Sequence, residues 1–312
     1  MIRRDFLTRL AGGAGALALG SELLGQTKCH AAVVNRSDKR NRISISTWSL
    51  RNYFQATRAK DFTLPGNMLA LLDFPEMIAE RYKVHNLEFC AVHFASTEKV
   101  YLQELKRRLV RARSRVVNIP VDIRELHTGG GLSDPDEEVR DAGVNAAKEW
   151  IDVAVAIGTK SVRCDPGKID PEDLSPTLES YKRLAAYGKP KGVHVLIENH
   201  GGVGSEHPEE LVRVFKQAGP EVVGALPDFG NFPDEATRER GLALLFPYAH
   251  VVCHAKGLDF DPAGNETKFD FPKCIEISKK ARFSGIYSIE YEGPGDPYDG
   301  VQKTLDELLR YL

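Results

Sequence analysis

The stretch VLIENHGG, residues 195–202, joins a run of apolar residues directly to Glu198, Asn199 and His200. Such an apolar run is typical of a strand that is buried on both faces, as in a parallel sheet. A chain that leaves a buried strand with a carboxylate, an amide and an imidazole in succession forms either a solvated loop or part of a reaction centre at the strand end. The rest of the sequence distinguishes between the two.

Short β-rich runs of this kind recur along the chain and alternate with longer amphipathic segments. The eight runs are ISIS (43–46), NLEF (86–89), RVVNI (115–119), SVRC (161–164), HVLIE (194–198), VVGALPD (222–228), HVVCH (250–254) and IYSIE (286–290). A doubly wound nucleotide-binding sheet would need G-x-G-x-x-G after an early strand, whereas TWSLRNYF follows the first run. Eight βα units within about 270 residues predict an α/β fold, a single (β/α)8 TIM barrel over residues 42–312.

Composition narrows the classes of partner. The chain has 312 residues, of which 28% are charged, and a net charge of −2. A surface so close to neutral provides no long-range attraction for nucleic acid, which is therefore not an expected partner. The five cysteines show no metal-ligand or paired spacing. We expect Cys90, Cys164 and Cys253 to be small buried apolar residues.

The N-terminal segment differs from the rest. Arg3 and Arg4 are followed by Asp-Phe-Leu and then by a short Gly/Ala/Leu stretch. This pattern is typical of a twin-arginine signal peptide, and the apolar stretch is too short for a stable membrane anchor. We predict a signal peptide over residues 1–32, a linker over 33–41 and a periplasmic or otherwise exported location. The alternative is an amphipathic N-terminal helix.

Four consecutive predicted strands end in potential metal ligands. These are Glu198, Asp228, His254 and Glu290, one on each of strands five to eight. The carboxyl ends of barrel strands meet at one face, where TIM-barrel active sites lie. Three carboxylates and one imidazole suit one divalent ion, Mn²⁺ or Mg²⁺ before Co²⁺, Zn²⁺ or Fe²⁺.

The same residues lie in motifs that resemble the xylose-isomerase-like TIM barrel superfamily, which includes sugar phosphate isomerases and epimerases. The motifs are IENH (197–200), PDFGN (227–231), HAKG (254–257) and IEYEG (289–293), and the resemblance covers residues 43–312. It implies that Glu198, Asp228, His254 and Glu290 bind one divalent ion, commonly manganese. It also implies that Glu198 and Glu290 act as a paired acid and base on opposite faces of a sugar.

Two positions depart from the epimerase pattern. Asn231 stands where a His is common, and Gly257 stands where many relatives have Asp. A neutral amide cannot carry a proton at neutral pH, so we hypothesise that His200 supplies the proton donor.

Five further side chains are candidates for substrate binding. Arg163 and Lys256 could hold a substrate carboxylate or phosphate, or they could form ion pairs with Asp165 or Glu292. The others are Trp48, His93 and Asn231. Trp48 could equally pack on top of the barrel.

These residues predict a metal-dependent isomerase or epimerase that moves a proton next to a carbonyl in a carbohydrate. The same proton abstraction could end in loss of a neighbouring group, so a lyase or dehydratase acting on a keto-sugar or keto-glycoside is the alternative. A non-catalytic barrel that binds carbohydrate is the second alternative. A homo-oligomer is compatible with the sequence, which does not determine the oligomeric state.

Overall fold

The computed structural model describes residues 38–63, 66–219 and 221–312. The predicted signal peptide and the predicted linker up to residue 37 lie outside the described residues. The strands are β1 (Ile43–Ser46), β2 (Asn86–Glu88), β3 (Arg115–Pro120), β4 (Ser161–Arg163), β5 (His194–Glu198), β6 (Val223–Leu226), β7 (Val252–Gly257) and β8 (Ile286–Tyr291). The helices of the described residues are α1 (Phe74–Tyr82), α2 (Lys99–Arg111), α3 (Arg124–His127), α4 (Glu137–Ile157), α5 (Ser175–Gly188), α6 (Gly202–Glu206), α7 (Pro208–Gln217), α8 (Glu235–Leu245), α9 (Phe271–Lys280) and α10 (Pro297–Tyr311).

All eight strands run parallel, in the order β6-β5-β4-β3-β2-β1-β8-β7. The sheet closes between β6 and β7 through a parallel bridge of Asp228 and His254. At this bridge Phe229 N donates to His254 O at 3.1 Å, and His254 N donates to Pro227 O at 2.9 Å. The prediction of a single eight-stranded α/β barrel is therefore confirmed. The predicted sixth strand, 222–228, was too long by one residue at its start and two at its end, because β6 spans Val223–Leu226.

The helices pack their apolar faces against the outside of the barrel, as the amphipathic segments predict. Helix α4 begins after Asp136, whose side chain accepts a hydrogen bond from Glu138 N, and ends at Gly158, where φ is +87°. The cysteines at positions 90, 164, 253 and 274 are free and buried, as expected for the three that the sequence singled out. Across the described ranges, no helix has both the length and the apolar character needed to span a membrane.

Polar side chains occupy much of the barrel interior beneath the carboxyl ends of the strands. Glu88, Asn118, Ser161 and Ser288 are all fully buried. Asn118 Nδ2 donates to Glu88 Oε1 at 2.8 Å, and Ser288 Oγ donates to Glu88 Oε2 at 2.7 Å. Ser161 Oγ extends the chain of contacts to Asn118 Oδ1 at 2.8 Å. Buried polar groups must be hydrogen-bonded to be tolerated, so this network forms a rigid polar floor below the strand ends.

Candidate active site and metal centre

The four side chains predicted to converge lie together at the strand ends. Glu198 is the last residue of β5, Asp228 follows β6, His254 lies in β7 and Glu290 lies in β8. Each is buried, and each offers one ligand atom such that all four atoms lie within 4.8 Å of one another. The regular spacing of barrel strands brings together residues that are far apart in the chain.

The two nitrogens of His254 face different partners. Nδ1 lies 3.1 Å from Glu198 Oε1, 3.4 Å from Asp228 Oδ2 and 3.5 Å from Glu290 Oε2. Nε2 lies 3.0 Å from Glu88 Oε2 on the opposite side of the ring. Metal-binding histidines usually donate their second nitrogen to a carboxylate, which fixes the ring and its tautomer. Glu88 stands in that position.

The donor set fits a divalent cation. Glu198 Oε2 and Asp228 Oδ2 are buried and accept no hydrogen bond from the described residues, although Arg163 Nε lies 3.1 Å from the first and Lys256 Nζ lies 3.2 Å from the second. The other oxygen of Asp228 accepts backbone N–H groups from Gly230 at 2.6 Å and Asn231 at 3.0 Å, which fixes the carboxylate. Buried oxygens without a donor are unfavourable unless a cation or another partner satisfies them. Together with Glu290 and the imidazole of His254, these two carboxylates form a hard ligand set for one ion.

The residues that follow Glu198 in the sequence, Asn199 and His200, also contact the centre or its surroundings. Asn199 clamps the backbone of Asp228, because its Nδ2 donates to Asp228 O at 3.1 Å and its Oδ1 accepts from Asp228 N at 2.8 Å. His200 Nδ1 lies 2.7 Å from Asp165 Oδ2, and its side chain is half exposed. Asn231 Nδ2 donates to Glu198 Oε1 at 3.0 Å. The amide at position 231 therefore orients a candidate metal ligand.

Two cationic side chains lie directly against the carboxylates. Lys256 Nζ is 2.5 Å from Glu290 Oε2, 3.0 Å from Glu292 Oε2 and 3.2 Å from Asp228 Oδ2. A side chain at Gly230 would collide with Lys256, since an added Cβ would lie 2.5 Å from its Cγ. The ion pair with Glu292, which the sequence left as an alternative for Lys256, is thus present.

Arg163 makes the corresponding set of contacts on the other side of the centre. Its guanidinium lies 2.7 Å from Asp165 Oδ2, 2.9 Å from Asp122 Oδ1 and 3.1 Å from Glu198 Oε2. The alternative ion pair with Asp165 is therefore also present. Each of the two cations already pairs with three carboxylates. Substrate binding by Arg163 and Lys256 stays a prediction.

The charges around the centre move its pKa values in different directions. Burial alone would raise the pKa of Glu198, but His254 and Arg163 outweigh it and hold that pKa well below its usual value. Burial raises the pKa of Glu290, and His254 and Lys256 offset this only in part. The hydrogen bond to Asp165 and the charge of Glu198 raise the pKa of His200 to about 9, so its imidazole is protonated at neutral pH. A bound cation would lower the pKa of Glu198 further and would oppose the rise in the pKa of Glu290.

A cavity of about 240 Å³ opens above the centre. Six predicted site residues line it, namely Trp48, Arg163, Glu198, His200, Lys256 and Glu290. Trp48 Nε1 donates to Glu292 Oε1 at 2.6 Å, so the indole is tied to the same carboxylate that binds Lys256. Asp228, Asn231 and His254 are not in the cavity wall.

His93 is not in the wall of this cavity, although its ring stacks on that of Trp48, which is, with centroids 6.3 Å apart. Its Nδ1 is 2.8 Å from Thr47 Oγ1, its Nε2 is 2.9 Å from Thr57 Oγ1, and its ring stacks on Phe54 with centroids 4.0 Å apart. Burial lowers the pKa of His93 to about 4, so the ring is neutral. A substrate-binding role for His93 stays a prediction, and both ring nitrogens already have partners.

Several residues of the site were not predicted from the sequence. Asp122 pairs with Arg163, and His127 Nε2 lies 3.7 Å from Asp122 Oδ1 at the edge of the cavity. Asp122 follows β3 by two residues, which is the position that marked Asp228 after β6, so the same signal was available. Packing accounts for the glycine at position 257, because a Cβ there would lie 2.3 Å from Thr304 Oγ1 in α10.

Comparison with known families agrees with this geometry. The model of the family described as xylose isomerase-like TIM barrel matches residues 79–311, which is most of the chain. The chain belongs to this family. Inosose dehydratase from Glaesserella parasuis serovar 5 (strain SH0165) is 28% identical over 155 residues. That match covers 49% of this chain and 49% of the relative, so the chain spans about half the length of the curated relative it matches.

Solved structures share the fold at low sequence identity. A xylose isomerase-like TIM barrel protein from Mycobacterium smegmatis, in complex with magnesium, superposes with a TM-score of 0.62 at 16% identity, covering 86% of this chain and 96% of that one. The 3-keto-D-glucoside 4-epimerase from E. coli superposes with a TM-score of 0.59 at 16% identity, covering 86% and 98%. At this level of identity the likeness concerns the fold alone.

Proposed function

We propose that this protein is a divalent-metal-dependent isomerase or epimerase of carbohydrates that moves a proton at a carbon next to a carbonyl. One observation carries the proposal. Four ligand atoms from Glu198, Asp228, His254 and Glu290 lie within 4.8 Å of one another below a cavity. Family membership supports an enzyme of this class, and the magnesium-bound relative supports a divalent ion. Mn²⁺ is the ion we propose first, with Mg²⁺, Co²⁺, Zn²⁺ and Fe²⁺ as alternatives.

The proposed roles follow from the positions of the side chains. Glu198 and Glu290 lie on β5 and β8, the outer two of the four strands that supply the candidate ligands, and both line the cavity. One carboxylate removes the proton from the substrate carbon, and the other, in its acid form, returns a proton to the opposite face of that carbon. A bound cation would polarise the substrate oxygens and stabilise the negative charge that develops on them. His254 and Asp228 would hold that cation.

The remaining polar residues position these groups. Asn231 fixes Glu198 through its hydrogen bond, and Arg163 balances the negative charge of Glu198. His200 is a protonated imidazole in the cavity wall and can donate a proton to a substrate oxygen. Trp48 and Lys256 would contact the sugar from the cavity wall, Trp48 with its ring face.

Solvent-deuterium incorporation tests the proposal. Mn²⁺-loaded protein in D₂O is incubated with D-fructose and with methyl 3-keto-β-D-glucopyranoside, and the products are followed by NMR. We expect label at one carbon, and loss of at least about 10²-fold in rate for Glu198→Gln and Glu290→Gln because each removes one proton-transfer group. Glu80→Gln, an exposed change on α1, is the matched control. Labelling at the wild-type rate in both site variants would contradict the proposal.

A dehydratase is the second candidate, favoured by the inosose dehydratase relative and by the protonated His200. In that reaction the proton abstraction is followed by loss of a neighbouring hydroxyl as water, with His200 as the proton donor. Release of an unsaturated product in the same NMR experiment would identify it. Binding of sugar with neither labelling nor release would identify a carbohydrate-binding barrel.

We also propose that the chain is exported to the periplasm through its twin-arginine segment. The support is the sequence Arg3-Arg4-Asp5-Phe6-Leu7 and the apolar stretch that follows. Cell fractionation of the wild-type chain and of a variant with both arginines replaced by Lys tests this. The wild-type chain should be found in the periplasm and the variant in the cytoplasm, and equal distribution would refute the proposal.

A further inference from the structure

A second cavity, of about 210 Å³, adjoins the one above the metal ligands. The two cavities share His127, Glu198 and His200 in their walls. Neither reaches the roughly 300 Å³ at which ligand pockets usually begin, whereas the two joined exceed it. A ligand that fills both cavities is therefore larger than a single group held over the metal ligands.

The walls of the second cavity suit a carbohydrate ring. Ile169 and Val203 provide apolar surface, and Gly167 and Gly201 expose backbone without side chains. The imidazole of His200, half exposed, adds a polar edge. A pyranose ring has the matching character, since its C–H faces are apolar and its rim carries hydroxyl groups.

An unsatisfied acceptor in this cavity selects for a ligand that donates hydrogen bonds. Asp165 is buried and lines the cavity, and its Oδ1 has no hydrogen-bond partner among the described residues. Its other oxygen is taken by Arg163 and His200, each at 2.7 Å. A sugar hydroxyl can donate to Oδ1, whereas a phosphate or carboxylate would bring a second acceptor to it.

The two imidazoles do not turn the second cavity into an anion site. His200 is paired with Asp165, and His127 lies 3.7 Å from Asp122. Each imidazole thus faces a carboxylate, and the wall also contains the carboxylates of Asp165 and Glu198, which disfavour an anion there.

We propose that the second cavity binds the second sugar residue of a glycoside, so that the substrate is a keto-glycoside of at least two sugar units. This assignment rests on the proposed function for the first cavity, which would hold the residue that reacts. The sugar unit in the second cavity would donate a hydroxyl hydrogen to Asp165 and place its apolar face on Val203 and Ile169.

Binding measurements test the assignment apart from catalysis. Affinities of the Mn²⁺-loaded protein are measured by calorimetry for cellobiose, supplied as its methyl β-glycoside, and for methyl β-D-glucopyranoside, since neither glycoside has a carbonyl and neither reacts. The wild-type protein should bind cellobiose at least tenfold more tightly. Val203→Phe fills the second cavity and should abolish this preference without changing the affinity for the methyl glucoside. Val100→Phe, an exposed change on α2, is the matched control and should leave the preference intact.

The outcomes separate the two proposals. Equal affinities in the wild-type protein, or equal weakening of both sugars by Val203→Phe, would overturn the second-sugar assignment. Deuterium labelling tests the reaction itself and can fail while the disaccharide preference persists. Gly204→Ala provides a gentler second variant, because its added methyl group meets nothing closer than Leu211 at 3.4 Å. It should weaken cellobiose binding severalfold, and unchanged binding in a folded protein would also count against the assignment.

Discussion

Replacing Glu88 by Gln tests whether the polar floor orients His254 for binding a metal ion. Glu88 is fully buried and accepts hydrogen bonds from His254 Nε2 at 3.0 Å, Asn118 Nδ2 at 2.8 Å and Ser288 Oγ at 2.7 Å. Gln has nearly the same shape but no charge, and its NH₂ group can only donate. At least one of these contacts would then face two donors, unless Asn118 turns its amide over.

The expected effect is on metal affinity. Carboxylates that orient a metal-binding histidine typically contribute about 10- to 100-fold to affinity, or about 1.4 to 2.8 kcal/mol. Glu88→Gln changes both the charge behind His254 and the acceptor that orients its ring. We therefore expect a loss near the upper end, about 30- to 100-fold for Mn²⁺.

Competition with a chelator at pH 7.5 gives the affinity for Mn²⁺, and far-UV circular dichroism verifies the fold. Ser288→Ala is the matched control, because it removes one hydrogen bond to Glu88 Oε2 and leaves the charge in place. It should cost at most about fivefold. Wild-type affinity in a folded Glu88→Gln protein would refute the role of Glu88. An equal loss in Ser288→Ala would show that packing, rather than charge, is responsible.

Three further predictions concern other parts of the molecule. Burial raises the pKa of Glu307 to about 7. Its protonated form therefore favours the fold, and this contribution is lost as pH rises from about 4.5 to 7. In urea titrations the free energy of unfolding of Glu307→Gln should exceed that of the wild type by about 2 kcal/mol at pH 8, allowing for screening, and should equal it at pH 4. The same dependence of unfolding free energy on pH in both proteins would contradict this. Mn²⁺ should quench the fluorescence of Trp48, so the quenching should be absent in Trp48→Phe and present in Trp150→Phe. Quenching that persists in Trp48→Phe and is absent in Trp150→Phe would place the ion elsewhere. Gly257→Asp should destabilise the protein by about 1 to 3 kcal/mol in thermal unfolding through its clash with Thr304. Thr304→Ala should restore part of the loss, and a Gly257→Asp protein as stable as the wild type would show that the clash is relieved.

The fold could be predicted because its signals are local. Each strand is a short apolar run, and parallel connectivity follows from the alternation of strands with amphipathic helices. The convergence of Glu198, Asp228, His254 and Glu290 follows from the fold, since strand ends meet at one face of a barrel. Residues on regular elements are therefore placed by counting along the chain.

The parts that escaped prediction depend on loops and on pairing between distant residues. His93 follows a strand, as Asp228 does, but the segment after β1 folds over it and supplies Thr47 and Thr57 as partners. Whether Lys256 contacts a substrate or neighbouring carboxylates depends on the strand register, which the sequence does not show. The second cavity is built partly from the loops after β4 and β5, whose backbone course is set by glycines at positive φ such as Gly167 and Gly201.

The ammonium of Lys256 and the guanidinium of Arg163 have a consequence for how the protein folds and matures. Each pairs with three carboxylates, and Glu198, Asp228 and Glu290 are among them, so mutual repulsion of the three acids of the centre is relieved by groups that the chain itself supplies. Folding then does not require a bound ion, and the proposed ion can be acquired in a separate stage after the polypeptide has reached its final shape. The identity of that ion would be set by the supply in the compartment where loading occurs.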